Sequence, residues 1–267
     1  MHACLRSNWL VLVALLALLL TTTAPWADDE APDPTENEAL LIVWDPDNLA
    51  WMEDYLIRHM AGAHSLNIEI RQAGAADFAD ITGKDIVIIS SSVDSSDVGM
   101  AFRDVAIPVL TWEPSVLDEM MMIDSAADQG WIGDCVTPAD TVDMDIDPVP
   151  PSTDSDDHIL FGSFSGQGTQ VVYEPDGIGC RKIGWGRPAG TPIRVNHANA
   201  ANPDKVTTFA YKPGDAMAAG FIAPAKRVFT FPYSTTPDQP GEESSELAVD
   251  EVGLELFEMA LEWALLP

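Results

Sequence analysis

The chain has 267 residues, 43 of them acidic against 13 basic, and a formal net charge of −30 at pH 7. That balance argues against nucleic acid and against an anionic membrane surface as partners, because both are bound through clustered Lys and Arg. A hydrophobic fraction of 46% is that of a globular domain, so the charge belongs to a folded surface and suits high salt, divalent cations or simple solubility.

His2 and Arg6 precede an unbroken apolar run from Trp9 to Leu20. The run is shorter than the roughly 20 residues of a comfortable membrane span. Small residues follow at Ala24 and Ala27, so residues 1–27 are expected to be a signal peptide, with an uncleaved anchor as the alternative. Cleavage makes the protein secreted or periplasmic, with no membrane attachment. Residues 28–39 are read as an acidic disordered lead-in and residues 40–267 as a single α/β domain, with order beginning at Ala39. Cys135 and Cys180 remain after the signal, and two cysteines in an exported chain are expected to form a disulfide; two buried free thiols are the alternative.

Leu40 to Trp44 is a continuous apolar run, the pattern of a strand buried on both faces. Asn48 suits a helix N-cap, and Met52, Leu56 and Met60 fall on one helical face. Asn67 to Ile70 reads as a second strand, Asp85 to Ile89 as a third, Ser95 to Val105 as a helix, and Pro108 to Trp112 as a fourth strand. The alternation predicts a parallel sheet wrapped on both sides. Thr141 to Asp147 alternates acid and apolar, as a strand with one wet face does. Further strands are expected at Val171 to Glu174, Lys205 to Tyr211 and Arg227 to Tyr233, with a turn at Gly214 to Gly220. A final helix spans Glu246 to Leu266, its core face set by Val249, Val252, Leu256, Ala260 and Trp263.

Several chemical signatures fail. Gly162 to Gly166 has Phe164 where a nucleophile elbow needs serine. Gly166-Gln167-Gly168 and Gly177-Ile178-Gly179 lack the third glycine of a dinucleotide loop, and there is no P-loop. Asp143, Asp145 and Asp147 begin like a calcium loop, but Pro148 replaces the glycine and no Glu closes it, leaving a solvated acidic face. His59 and His64 are not at a helical ligand spacing, so no metal site and no cofactor are expected. Position then supplies the candidates. Ligands of open parallel sheets bind at the carboxyl ends of the strands, which here carry Asp45, Ser90, Ser91, Ser92, Trp112 and Glu113. The competing reading makes the serines helix caps and Trp112 core.

Five segments occur in a familiar order: Lys84-Asp-Ile-Val-Ile-Ile-Ser-Ser-Ser92, Phe102-Arg-Asp-Val-Ala-Ile-Pro-Val-Leu-Thr-Trp-Glu-Pro114, His158-Ile-Leu-Phe-Gly162 followed by Gly166, Phe209-Ala-Tyr-Lys-Pro-Gly-Asp-Ala-Met217 and Ala223-Pro-Ala-Lys-Arg-Val228. Together they resemble a domain of exported bacterial proteins similar to the class I glutamine amidotransferase-like and ThuA-like group, across about Leu40 to Leu265. The resemblance implies a three-layer, mostly parallel flavodoxin-like sheet with helices on both faces. Amidotransferases of the group use a cysteine at a strand-to-helix elbow with a histidine and a glutamate. No cysteine follows a predicted strand here, so that chemistry is not carried over. The acidic insertion around Asp154 to Asp157 and the two cysteines also depart from the group.

The expected function is therefore a non-catalytic exported domain that binds a small molecule or glycan, or scaffolds a surface assembly. The alternative is a ThuA-like hydrolase or sugar-modifying enzyme in which Glu113 acts as general base, helped by Ser91 or Asp45.

Overall fold

Leu40 to Val43 offer water no polar side chain, and such a run is stable only where both faces of a strand are covered. In the computed structural model, which describes residues 36–134, 142–147, 156–161, 164, 167–173, 181–199, 201–232 and 249–267, this run is fully buried inside strand β1 (Asn37–Val43). Residues 1–27, expected to be a signal peptide, and most of residues 28–39, expected to be an acidic lead-in, lie outside the described residues. The strand starts before Ala39, because Asn37 N–H donates to the Ser65 carbonyl at 2.7 Å and Glu38 pairs with Lys84 at 3.2 Å.

The other predicted buried strands form for the same reason: β3 (Ile86–Ile89) and β4 (Val109–Thr111) are buried throughout. With β2 (Leu66–Gln72) and β11 (Arg227–Phe229) they make a parallel set in the order β2-β1-β3-β4-β11. That is the flavodoxin-like order, and it reverses between β1 and β3. Beyond β11 the sheet turns antiparallel through β10 (Val206–Tyr211), β9 (Ile193–His197), β6 (Val142–Ile146) and β7 (Gly168–Tyr173). An antiparallel pair of β5 (Gln129–Asp134) and β8 (Arg181–Gly186) joins β10 where Val206 pairs with Gly186. The eleven described strands thus form one mixed sheet, not a mostly parallel one.

Helices on both faces also require correction. On one face α1 (51–63) and α3 (Glu251–Leu265) bury Met52, Leu56, Phe257, Leu261 and Trp263 against Leu41, Val43, Ile88 and Leu110. The opposite face, Leu40, Ile42, Val87, Ile89 and Phe229, is covered by Phe102, Val105, Val116, Met120 and Met217, which come from short turns and irregular chain. The helix expected over 95–105 is a single turn, α2 (Ser95–Val98), ended by Gly99 at φ +50°. The Arg227 guanidinium instead takes the carbonyls of Arg103, Val105 and Ile107, holding this segment as turns that aim their oxygens inward.

Three strands were not expected: β5, β8 and β9. β8 carries glycine at alternate positions because its neighbours leave no room. A Cβ on Gly184 would lie 2.9 Å from Pro114 Cγ, and one on Gly186 would lie 2.9 Å from Leu117 Cδ1. β6 matches expectation, with Met144 and Ile146 buried and Asp145 on the wetter side. Asp157, from the acidic insertion, is buried and paired with Lys212 Nζ at 2.5 Å. Cys135 and Cys180 lie outside the described residues.

Candidate functional site

The reversal between β1 and β3 leaves a gap at their carboxyl ends, where the chain departs to opposite sides of the sheet. Glu53, in the first turn of α1, closes that gap. The helix starts after Ala50, not Asn48. Ala50 has no side-chain acceptor, so its N–H is met from within the helix by Glu53 Oε2 at 2.6 Å, the reciprocal half of a capping box. Ahead of the helix the Asp47 N–H bonds Asp45 Oδ1 at 3.0 Å in a side-chain-closed turn.

The other Glu53 oxygen accepts from the Ser92 hydroxyl, and Ser90 also bonds this carboxyl. The Ser92 Oγ in turn accepts the Trp44 N–H at 3.1 Å, and Ser90 Oγ accepts the Ser92 N–H at 3.1 Å. One network therefore ties the end of β1, the end of β3 and the start of α1. Burial raises the Glu53 pKa, the bonds from Ser90, Ser92 and Ala50 oppose the rise, and the nearby Asp45 charge adds to it. Asp45 is half-buried, and Trp44 beside it stays 44% exposed, an uncommon setting for so large an apolar ring.

Glu113 forms a second polar centre at the end of β4. It is 4% exposed and caps the short turn Pro114–Val116, accepting from the Ser115 N–H at 2.8 Å and from the Ser115 hydroxyl. Burial pushes its pKa up to about 7 against the pull of Ser115, and the carboxylate of Asp94 contributes further. Ser91 and Glu113 each lie two residues beyond the paired Ile89 and Thr111 of adjacent strands. Ser91 is 8% exposed and has a bonding partner of its own.

Trp112 belongs to the core and not to the binding set. It faces the same side as Leu110, is fully buried, and meets Phe257 of α3 edge-on at 5.2 Å and 76°. The arrangement therefore brings Asp45, Ser90 and Ser92 together around Glu53, sets Glu113 beside Ser115 just past the end of β4 and within reach of the Asp94 charge, and removes Trp112. Glu53 and the exposed Trp44 were missed in the sequence. The signal for Glu53 was present: an acid three residues after the helix start, just beyond an apolar strand.

Among the described residues no group of three or more His, Cys, Asp or Glu is placed to hold a metal ion. His197 lies between Asp145 and Asp147, at 3.6 and 3.4 Å. No described helix is long and apolar enough to cross a membrane.

No protein-family model and no curated protein matches the chain. Among solved structures, a ThuA-like protein from Bacteroides uniformis is similar over 87% of this chain and 93% of its own, with a TM-score of 0.50 at 8% identity. The fold is ThuA-like. At that identity the likeness speaks for architecture alone, and the chemistry rests on the side chains themselves. Within this ThuA-like fold the Glu53 network sits where the strand order reverses.

Proposed function

We propose that the chain is an exported binding domain that takes a small polar molecule or glycan at the carboxyl ends of β1, β3 and β4. The exposed Trp44 indole beside Asp45 carries the reading: a flat apolar surface next to acceptors suits a ligand with one apolar face and hydroxyl groups at its rim. Ser92 supports binding over nucleophilic catalysis. Its hydroxyl donates to Glu53, its oxygen accepts a backbone N–H, and it is 5% exposed, so it is committed to structure.

The test is a thermal-shift and calorimetric screen of mono- and oligosaccharides and small polar metabolites against the wild type and Trp44→Ala. A hit should weaken at least about tenfold in the variant, as loss of a central aromatic anchor does. A hit unaffected by Trp44→Ala would place binding elsewhere and defeat the proposal. Export has its own check: secreted protein should begin near Asp28 by mass spectrometry, and an intact Met1 in membranes would refute it.

A second reading, a hydrolase or sugar-modifying enzyme, is favoured by Glu113 alone. A carboxyl with a pKa of about 7 is suited to proton transfer at neutral pH. Turnover on a broad hydrolase panel that disappears in Glu113→Gln would establish it.

A further inference from the structure

We propose that the protein forms a two-fold dimer by pairing the outer margin of β2 with β2 of a second copy. β2 ends the sheet, and its residues Leu66 to Gln72 all pair with β1 on one side. The phase of that ladder decides which backbone groups face outward. The Asn37 N–H donates to the Ser65 carbonyl, while Asn37 itself stands opposite Leu66. In a parallel pair such a residue bonds the two neighbours of its partner, so Ser65, Asn67, Glu69 and Arg71 turn their backbone groups to β1. The N–H and C=O of Ile68, Ile70 and Gln72 then point away from the sheet. Among the described residues the Ala76 N–H meets the Gln72 carbonyl at 3.0 Å, and that oxygen keeps a second lone pair.

A two-fold axis at Ile70 uses these groups. It makes Ile70 and its copy a hydrogen-bonded pair and sets Ile68 opposite Gln72 as the next, each pair exchanging two backbone bonds. The same axis places Glu69 opposite Arg71 of the second copy, at the closer spacing of about 4.5 Å between Cα atoms. Glu69 and Arg71 already pair within the chain and are part-exposed, so the four side chains close a ring of alternating charge. Charges on an edge strand ordinarily keep a second strand away. A register centred on Glu69 or on Arg71 would set like charges face to face, whereas the one centred on Ile70 sets unlike charges together. Apolar surface supports the contact: Ile68 and Ile70 are only partly buried, and Phe78, on the turn whose Asp80 meets Arg71 at 3.6 Å, is 58% exposed.

The contact uses none of the strand-end residues, so its outcome is separate from that of the binding screen. Sedimentation of the secreted protein should show a monomer–dimer equilibrium in the micromolar range, since a single strand pair makes a small interface. Ile70→Pro removes an N–H that faces outward, a position where an edge strand accepts proline, so the variant should keep its circular dichroism and lose the dimer. Arg71→Glu should weaken association about tenfold, because both opposed charge pairs become repulsive. Ile70→Cys reads the register. Mild oxidation should link two copies through the introduced thiols, whose Cα atoms stand about 5.5 Å apart, a span that a disulfide bridges. Asn67→Cys, opposite Ala73, should not link, and peptide mapping identifies the thiols joined. A monomer at every concentration, or a dimer that survives Ile70→Pro and does not link in Ile70→Cys, would overturn the proposal. Should Ile70→Pro fail to fold, the cross-link and Arg71→Glu decide the matter.

Discussion

Glu113 and Arg227 are opposite answers to one problem, an ionisable group taken out of water. Glu113 holds its proton toward neutral pH because burial outweighs the two bonds from Ser115. Its folded pKa of about 7 lies above the ordinary value of 4.5, so the folded state binds this proton more tightly than the unfolded chain. Its contribution to stability is therefore full below about 4.5, declines as the pH rises to about 7, and is absent above that. The decline is on the order of 3 kcal/mol. Burial, with the neighbouring Asp118 second, also pushes the Glu119 pKa up. Glu113→Gln should therefore flatten part of the fall in Tm between pH 5 and 7 and raise the Tm at pH 8; an unchanged profile would count against the burial argument. Arg227 cannot shed its charge so readily. Burial lowers its pKa to about 10, and it is held by the backbone carbonyls of Arg103, Val105, Lys226 and Ile107. Arg227→Met should cost about 3–5 kcal/mol in urea unfolding, since carbonyls left without a donor cost about 1–3 kcal/mol each. Arg227→Lys should recover only part of that, because a lysine cannot reproduce the planar fork. Strand-end position alone reached Asp45, Ser90, Ser92 and Glu113, but a run of apolar letters gave no sign of which side Trp112 faces.

At the scale of elements, what could be read was what is written in apolar runs: β1, β3, β4, β10, β11 and the core face of α3. β5 and β8 escaped because their signal is the absence of side chains, and Gly184 and Gly186 stand where Pro114, Phe229, Leu117 and Phe209 crowd in. Gly184→Ala and Gly186→Ala should each lose about 1–3 kcal/mol by overpacking, measured as a shift in urea midpoint. Gly62 is the contrast. It lies exposed in α1 with nothing within 4 Å of a built Cβ, so Gly62→Ala should gain about 0.5–1 kcal/mol. Equal effects at the three positions would mean that helix and strand propensity, and not crowding, governs β8.

Across the whole molecule, charge sets the response to solution conditions. The exposed edge of α3 carries Glu251, Glu255 and Glu262, while Glu258 is engaged by His64 at 3.1 Å. Lys226 is spent on the carbonyls of Trp263 and Leu266, where it caps the helix instead of offsetting the acidic ridge. Glu251 and Glu255 stand four apart, and Glu258 lies three from Glu255 and four from Glu262; like charges at such spacings cost about 0.2–0.5 kcal/mol per pair, less where His64 engages Glu258. The Debye length falls from about 10 Å at 0.1 M to about 3 Å at 1 M salt, so screening should relieve the repulsion. The Tm should rise steeply between low and molar NaCl, and a Glu251→Gln, Glu255→Gln, Glu262→Gln variant should rise less. A Tm indifferent to salt would end the salt-adaptation reading.

The place of β11 has a consequence in time. It lies between β4 and β10, so the parallel set waits for residues 227–229, which leave the ribosome long after β4 at 109–111. Until then β4 is an unguarded margin, apolar on both sides and open to any passing strand. Contacts this distant along the chain make folding slow, and a nascent chain stopped before residue 227 should aggregate where the full chain does not. Pelleting of ribosome-released fragments ending before and after β11 would show the step.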